Sequence, residues 1–169
     1  FGYAQDFDAI LGLSYQESNV FGSGNSFNVS VNRSSYQTAY NLSFFDPYFT
    51  VDGVSRGYSI FYRSTSYDER NIARFSTDSL GATVNFGYPI NEISRVNFSV
   101  GAENTNIKEG IFPSQEISRF LSKEGNDFSL VTVSAAYTMS ALNRGLLPTA
   151  GRAQTLSFEA TVPGSQLEF

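Results

Sequence analysis

Across Leu80–Asn91 (LGATVNFGYPIN) the residues fall into two interleaved sets. Leu80, Ala82, Val84, Phe86 and Tyr88 are apolar, whereas Gly81, Thr83, Asn85 and Gly87 are small or polar. A period of two is the period of a strand, so one face of this segment is greasy and the other is not. A half-buried strand of an aqueous sheet sustains such alternation for about four to eight residues. Here it lasts for about ten, the length a tilted strand needs to cross a bilayer. Pro89 lacks an N–H and is expected to end the ladder before a short turn at Asn91–Ser94.

The same pattern recurs along the chain. Ala9–Glu17 sets Leu11, Leu13 and Tyr15 against Gly12, Ser14 and Gln16, with Ile10 the exception on the polar side. Asn25–Ser35 sets Phe27, Val29 and Val31 against Asn28, Ser30 and Asn32. Tyr36–Asp46, Val54–Tyr67, Arg95–Asn106, Phe128–Met139 and Gln154–Val162 alternate likewise, and Phe1–Gln5 reads as part of a further strand that turns at Asp6–Asp8. The expected fold class is all-β: an antiparallel, up-and-down transmembrane β-barrel contributing about eight to nine strands.

Charge placement separates a membrane barrel from an aqueous one. Arg63, Glu103 and Glu159, which lie well inside strands, all share the Ser/Thr/Asn/Gly parity. Glu17, Arg33 and Arg56 share the greasy parity but sit at strand ends, where a long side chain reaches the headgroups. A lipid-facing Arg costs about 2–4 kcal/mol at mid-bilayer and little at the rim, and the placement follows that gradient. The polar parity is also too polar for a protein core. Packed inward without water, Asn28, Asn32, Thr83, Asn85 and Asn97 would be buried donors lacking partners. A water-filled interior removes the penalty.

Composition narrows the chemistry. The chain has no Cys and no His, which removes disulfides, thiolates, the usual general base and the commonest metal ligand. No enzyme activity and no cofactor are expected. The net charge of −5 and the lack of a basic stripe argue against nucleic acid. No run of apolar residues is long enough for a transmembrane helix. The start has no leader-like pattern and opens on what reads as mid-strand, so a piece of a longer precursor is expected.

The connections alternate in character. NVFGSG (Asn19–Gly24), DPYFTVDG (Asp46–Gly53), the PINEIS turn and LNRGLLPTAG (Leu142–Gly151) are rich in Gly, Pro and Asn. A phosphate-cradling loop at NVFGSG lacks the following Lys-Ser/Thr and helix, which leaves a hairpin turn. Asp68–Ser76 and Lys108–Asp127 are the long polar loops, the second with room for one short helical turn at Gln115–Leu121. Bacterial outer-membrane barrels keep compact turns in the periplasm and longer loops outside. The periplasmic turns are therefore expected to include Gly22, Gly24, Asp46, Pro47, Tyr48, Gly53, Arg144, Gly145, Pro148 and Gly151.

Candidate sites are sparse. Asp68, Glu69 and Asp78 share a loop with Arg70 and Arg74, which admits a divalent-ion clasp or, more simply, a solvated charged loop; Lys123, Glu124 and Asp127 read the same way. The tyrosines and Phe49 spread along strand ends suit an interfacial aromatic girdle better than a ligand platform. Phe169 is a terminal Phe of the kind many outer-membrane proteins carry, but Pro163, Gly164 and Ser165 break the alternation before it, so a truncated end is expected.

Six segments carry a closer likeness. DPYFTVDGVS (Asp46–Ser55), FGYPINE (Phe86–Glu92), LNRGLLPTAGR (Leu142–Arg152), TVPGS (Thr161–Ser165), SSYQTAY (Ser34–Tyr40) and NVFGSGN (Asn19–Asn25) together resemble the first half of the barrel in the BamA family, the central subunits of the bacterial outer-membrane barrel assembly machinery. The resemblance covers essentially the whole chain in order. It implies a sixteen-stranded barrel of which residues 1–169 are a part, preceded by periplasmic domains and followed by strands that this sequence lacks. It further implies a lateral gate whose first strand, matched here by Phe1, Gly2, Tyr3, Ala4 and Gln5, pairs with the C-terminal strand of an incoming client. The implied partners are outer-membrane lipids, unfolded outer-membrane protein clients and, through the missing periplasmic domains, accessory lipoproteins. The physical alternative is a small passive outer-membrane barrel, a channel or anchor, since eight strands of about ten residues fit the length.

Overall fold

The structure, a computed structural model, describes residues 2–4, 8–67, 75–110, 115–143, 146–147 and 149–162. Nine strands run β1 (Gly2–Ala4), β2 (Asp8–Glu17), β3 (Ser26–Arg33), β4 (Gln37–Asp46), β5 (Ser55–Ser66), β6 (Phe75–Asn91), β7 (Ser94–Glu109), β8 (Asp127–Leu142) and β9 (Gly151–Thr161), with one helix, α1 (Gln115–Glu124), between β7 and β8. All pair antiparallel in sequence order, each with its neighbour in the chain, and the sheet is not closed. The up-and-down topology expected from the alternation is the one observed.

Register turns the sequence parity into two surfaces. Phe27, Phe44, Tyr58, Val84, Val100, Val133 and Ala160 stand opposite one another across β3 to β9, forming one continuous apolar row. One residue along each strand runs a second row: Gln16, Asn28, Ser43, Ser59, Thr83, Gly101, Thr132 and Thr161. Every residue of that row is small or polar.

Burial runs opposite to hydropathy. Along β7 the apolar-parity residues Phe98, Val100 and Ala102 are exposed, while Asn97, Ser99, Gly101 and Glu103 between them are half-buried. β5 and β6 repeat this, with Tyr58, Ile60 and Tyr62 exposed and Gly57 and Gly81 buried. A curved sheet crowds the side chains on its concave face and splays those on its convex face, so the polar face is the inner one. There the polar groups pair with each other: Ser99 Oγ lies 2.7 Å from Ser134 Oγ, and Ser79 Oγ lies 2.7 Å from Thr105 Oγ1. Among the described residues the buried hydrophobic side chains are Leu121 and Phe128, and no dry centre forms.

Close approach on the inner face explains one glycine. A Cβ on Gly81 would stand 2.5 Å from the ring of Phe61, its cross-strand partner. Phe61 is the large apolar residue on the polar parity of β5, and its ring reaches into the space Gly81 leaves. Arg63 in turn holds its guanidinium 5.8 Å from the Phe61 ring centroid.

Four boundaries differ from expectation. β6 begins at Phe75, inside the segment expected to be the loop Asp68–Ser76, and its residues 68–74 lie outside the described ones. β7 runs on through Glu109, into the expected loop Lys108–Asp127. The added length lies past the apolar band and, Phe75 and Ile107 apart, is polar on both faces. Asp78 pairs with Lys108, and Asn106 Nδ2 donates to Asp127 Oδ1 at 2.7 Å. Backbone pairing continues there without any hydropathic alternation to announce it. Pro89 does not end the ladder: it stays paired opposite Arg95, and the register shift between Pro89 and Asn91 absorbs the missing N–H. The single helical turn expected at Gln115–Leu121 is a helix of ten residues. It is tied back where Gly125 N donates to Leu121 O and Ile107 N donates to Asn126 O.

Candidate functional site

Two features at the periphery of the sheet deserve the name of site: the β1 edge and the rim of turns. β1 is held to β2 by three opposed pairs, Gly2 with Ile10, Tyr3 with Ala9 and Ala4 with Asp8, whereas β5 and β6 share twelve. Among the described residues β1 has no strand on its other side. Gly2, Tyr3 and Ala4 of the expected pairing edge are thus in that strand, and Phe1 and Gln5 lie outside the described residues.

The even-numbered connections all gather at one end of the sheet, as antiparallel order requires. In the first, Val20–Gly22 forms a 3-10 turn, and the Asn19 side chain closes it by accepting from Gly24 N at 2.6 Å. Gly22 and Gly24 both have φ of +77°, a region glycine enters freely. In the second, Asp46 Oδ1 accepts from Tyr48 N at 3.1 Å across Pro47, and Gly53 takes φ of +82°. Asp46 also holds Arg56, its Oδ2 3.4 Å from the guanidinium, which lies 3.9 Å from the centroid of Phe49. That arrangement answers why a charge on the greasy parity is tolerated: Arg56 is folded against the turn, paired and covered by an aromatic ring. In the fourth, Asn143 Oδ1 accepts from Thr149 N and Ala150 N, each at 3.2 Å. Gly151 follows with φ of +116°, and a Cβ there would lie 2.1 Å from Ala141 O. Arg144, Gly145 and Pro148 of the expected turn set lie outside the described residues.

Sequence reasoning missed the residues that organise these turns, Asn19, Thr50 and Asn143. Each uses a side-chain oxygen as a backbone acceptor, Thr50 Oγ1 accepting from Val54 N at 3.2 Å. The available signal was an Asn or Thr a few residues ahead of a Gly between two strands.

Asp68, Glu69, Arg70 and Arg74 lie outside the described residues, as do Pro163, Gly164, Ser165 and Phe169. Asp78 is a strand residue paired to Lys108 and not a loop residue, and the ammonium beside it holds its carboxyl below the usual range. Among the described residues no group of three or more metal-ligating side chains converges.

Comparison with known proteins agrees with this geometry. The model of the Omp85 superfamily domain matches residues 19–169. The outer membrane protein assembly factor BamA of Neisseria meningitidis is 29% identical over 180 aligned residues, covering 99% of this chain and 22% of that protein. BamA of Buchnera aphidicola is 31% identical over 106 residues, covering 63% of this chain and 17% of that protein. The crystal structure of Haemophilus ducreyi BamA lacking POTRA domains 1–3 superposes with a TM-score of 0.70 at 25% identity, covering 97% of this chain and 33% of that one. The chain therefore spans about a fifth of the curated relatives and a third of the solved chain. With polar face inward, apolar face outward and strands in hairpin order, the chain belongs to the Omp85 superfamily and forms an unclosed, BamA-like part of an outer-membrane β-barrel.

Proposed function

We propose that the protein containing this chain folds and inserts β-barrel proteins into the bacterial outer membrane, with residues 1–169 as one part of its barrel domain. What supports the reading is the likeness to the BamA barrel over 97% of the chain, within which β1, held to β2 by three opposed pairs, is the first strand of the sheet. In hydrocarbon an unpaired N–H or C=O costs several kcal/mol, so such an edge favours any strand that can pair with it. Strand addition reads backbone more than side chains and therefore suits many clients. Gly2 and Ala4 keep the edge open to them. The work done is exchange of hydrogen bonds; no covalent bond is made or broken, and the protein is not an enzyme in that sense. Outer-membrane lipids and unfolded clients are its partners, with accessory lipoproteins joined through periplasmic domains. The turns carrying Gly22, Asp46, Gly53 and Gly151 face the periplasm in this reading.

Cysteine replacing Tyr3 or Gln5 in the full-length protein is expected to crosslink to a cysteine in the last strand of an assembling client. Active protein that yields no crosslink at any position from Phe1 to Gln5 would overturn the pairing role.

A further inference from the structure

The turn rim shows an inverted pattern for residues outside strands. Phe21 is 103% exposed, Val51 106%, Leu146 82% and Leu147 79%, and Tyr48, Phe49 and Ile93 are also open to the surroundings. The described connections at the opposite end of the sheet expose no large apolar side chain. Two of these tips are also held in a conformation their side chains disfavour. Phe21 (φ +52°) and Leu147 (φ +50°) are the non-glycine residues with positive φ among the described ones. Gly or Asn would occupy that region at lower cost. Among the described residues neither side chain is buried, so no packing there repays the strain.

Position suggests what does. The Glu92–Ile93 turn follows Ile90, the last apolar residue of the exposed β6 face, by two residues, or about 7 Å along the strand. The tips therefore lie at the level where the apolar band meets the headgroups. Phe21 extends the band itself: with Val20 it joins Tyr15 and Phe27, two outward-facing strand residues, around an open hollow of about 630 Å³. Its ring is thus set on the lipid side of the wall.

We infer that the tips Phe21, Val51, Leu146 and Leu147 are seated in the interfacial layer of the adjoining bilayer leaflet, where they anchor this end of the barrel at a fixed depth. The occupant is lipid, because the tips continue a surface that already meets acyl chains and stand at several separate points of one rim. Asp52 and Glu92 beside them suit a layer that also solvates charge. The inference needs only the membrane-facing wall and does not depend on the proposed pairing role of β1.

The test uses the full-length protein, freed of any other cysteine, reconstituted in bilayers of phosphatidylethanolamine and phosphatidylglycerol. Nitroxide labels are placed by Phe21→Cys and Leu147→Cys, with Val100→Cys as the acyl-chain reference and Lys123→Cys as the aqueous one. Accessibility to oxygen and to a neutral nickel chelate is then measured. The expected result is a nickel-to-oxygen ratio at both tips at least threefold below that at Lys123. A ratio within threefold of Lys123 overturns the inference, and so does shielding from both reagents, which would mean protein covers the tips. Phe21→Trp, read by quenching with brominated lipid, repeats the test without a label; absence of quenching overturns it equally.

Discussion

Arginine placed along β7 offers the sharpest test of the two-faced sheet. Val100 stands between Val84 and Val133 in the middle of the apolar row, and its side chain is exposed on the convex face. Val100→Arg puts a cation near mid-bilayer and should cost about 2–4 kcal/mol, roughly a 30- to 800-fold loss in the folding equilibrium. Asn104 shares that parity four residues further on, about 14 Å along the strand and about 10 Å along the normal at a tilt near 45°. There the outer face is turning polar: Asn104 stands between Leu80 and Ser129, its Nδ2 donating to Ser129 Oγ at 3.1 Å. Asn104→Arg should cost about 0–1 kcal/mol at the membrane edge, to which the lost exposed hydrogen bond adds about 1 kcal/mol at most. Thr132 neighbours Val133 in sequence at the same depth but faces the interior, opposite Gly101 and Thr161. Thr132→Arg should stay within about 1 kcal/mol of wild type. Urea titration of the full-length protein folded into short-chain phosphatidylcholine vesicles reads all three. Equal costs at Val100 and Thr132, or no fall from Val100 to Asn104, would refute the assignment of faces.

Other consequences are as specific. Gly81→Val drives a side chain into the Phe61 ring and should destabilise by about 1–3 kcal/mol; in a double-mutant cycle Phe61→Ala should recover most of that loss in urea titrations. Asn143→Ala removes the side-chain acceptor of Thr149 N and Ala150 N and should cost about 1–2 kcal/mol, seen as faster amide exchange confined to the β8–β9 turn. Because Lys108 lowers the Asp78 pKa, the pair stabilises the folded state above about pH 4 and stops doing so as pH falls through the depressed value. The stability gap between wild type and Lys108→Met should therefore be present at neutral pH and vanish in acid.

How much of this was legible in the sequence depends on whether a residue meets lipid. Leu80 to Tyr88 alternates because one face must be apolar and the other need not be, and the register rows reproduce that division strand by strand. Beyond the band the constraint lapses. Ser76 and Asp78 are as polar as a loop, so the start of the β6 ladder was invisible although these residues pair with Ser66 and Ser64 on β5 and with Lys108 and Asn106 on β7. Pro89 misled for a related reason: a missing N–H predicts a stop, but a register shift beside the turn accommodates it. The site was less legible still. Gly22, Gly24, Gly53, Gly151 and Asp46 lie in or beside turns of the sheet, yet the acceptors that shape those turns, Asn19 and Asn143, carry no periodic signal. The outward display of Phe21 and Leu147 depends on backbone φ, which no pattern of hydropathy encodes.

Strand order from β1 to β9 follows the chain without a crossover, and among the described residues no packed centre ties distant hairpins to one another. Such a sheet behaves like a linear stack, in which each added unit is stabilised by the one beside it and is indifferent to the rest. A foreign strand arriving at the β1 side would meet the same kind of backbone edge that β2 offers to β3, over three described residues instead of seven. Lengthening the sheet by a segment of another polypeptide therefore demands no repacking of what is already there, and withdrawing that segment leaves the remainder intact.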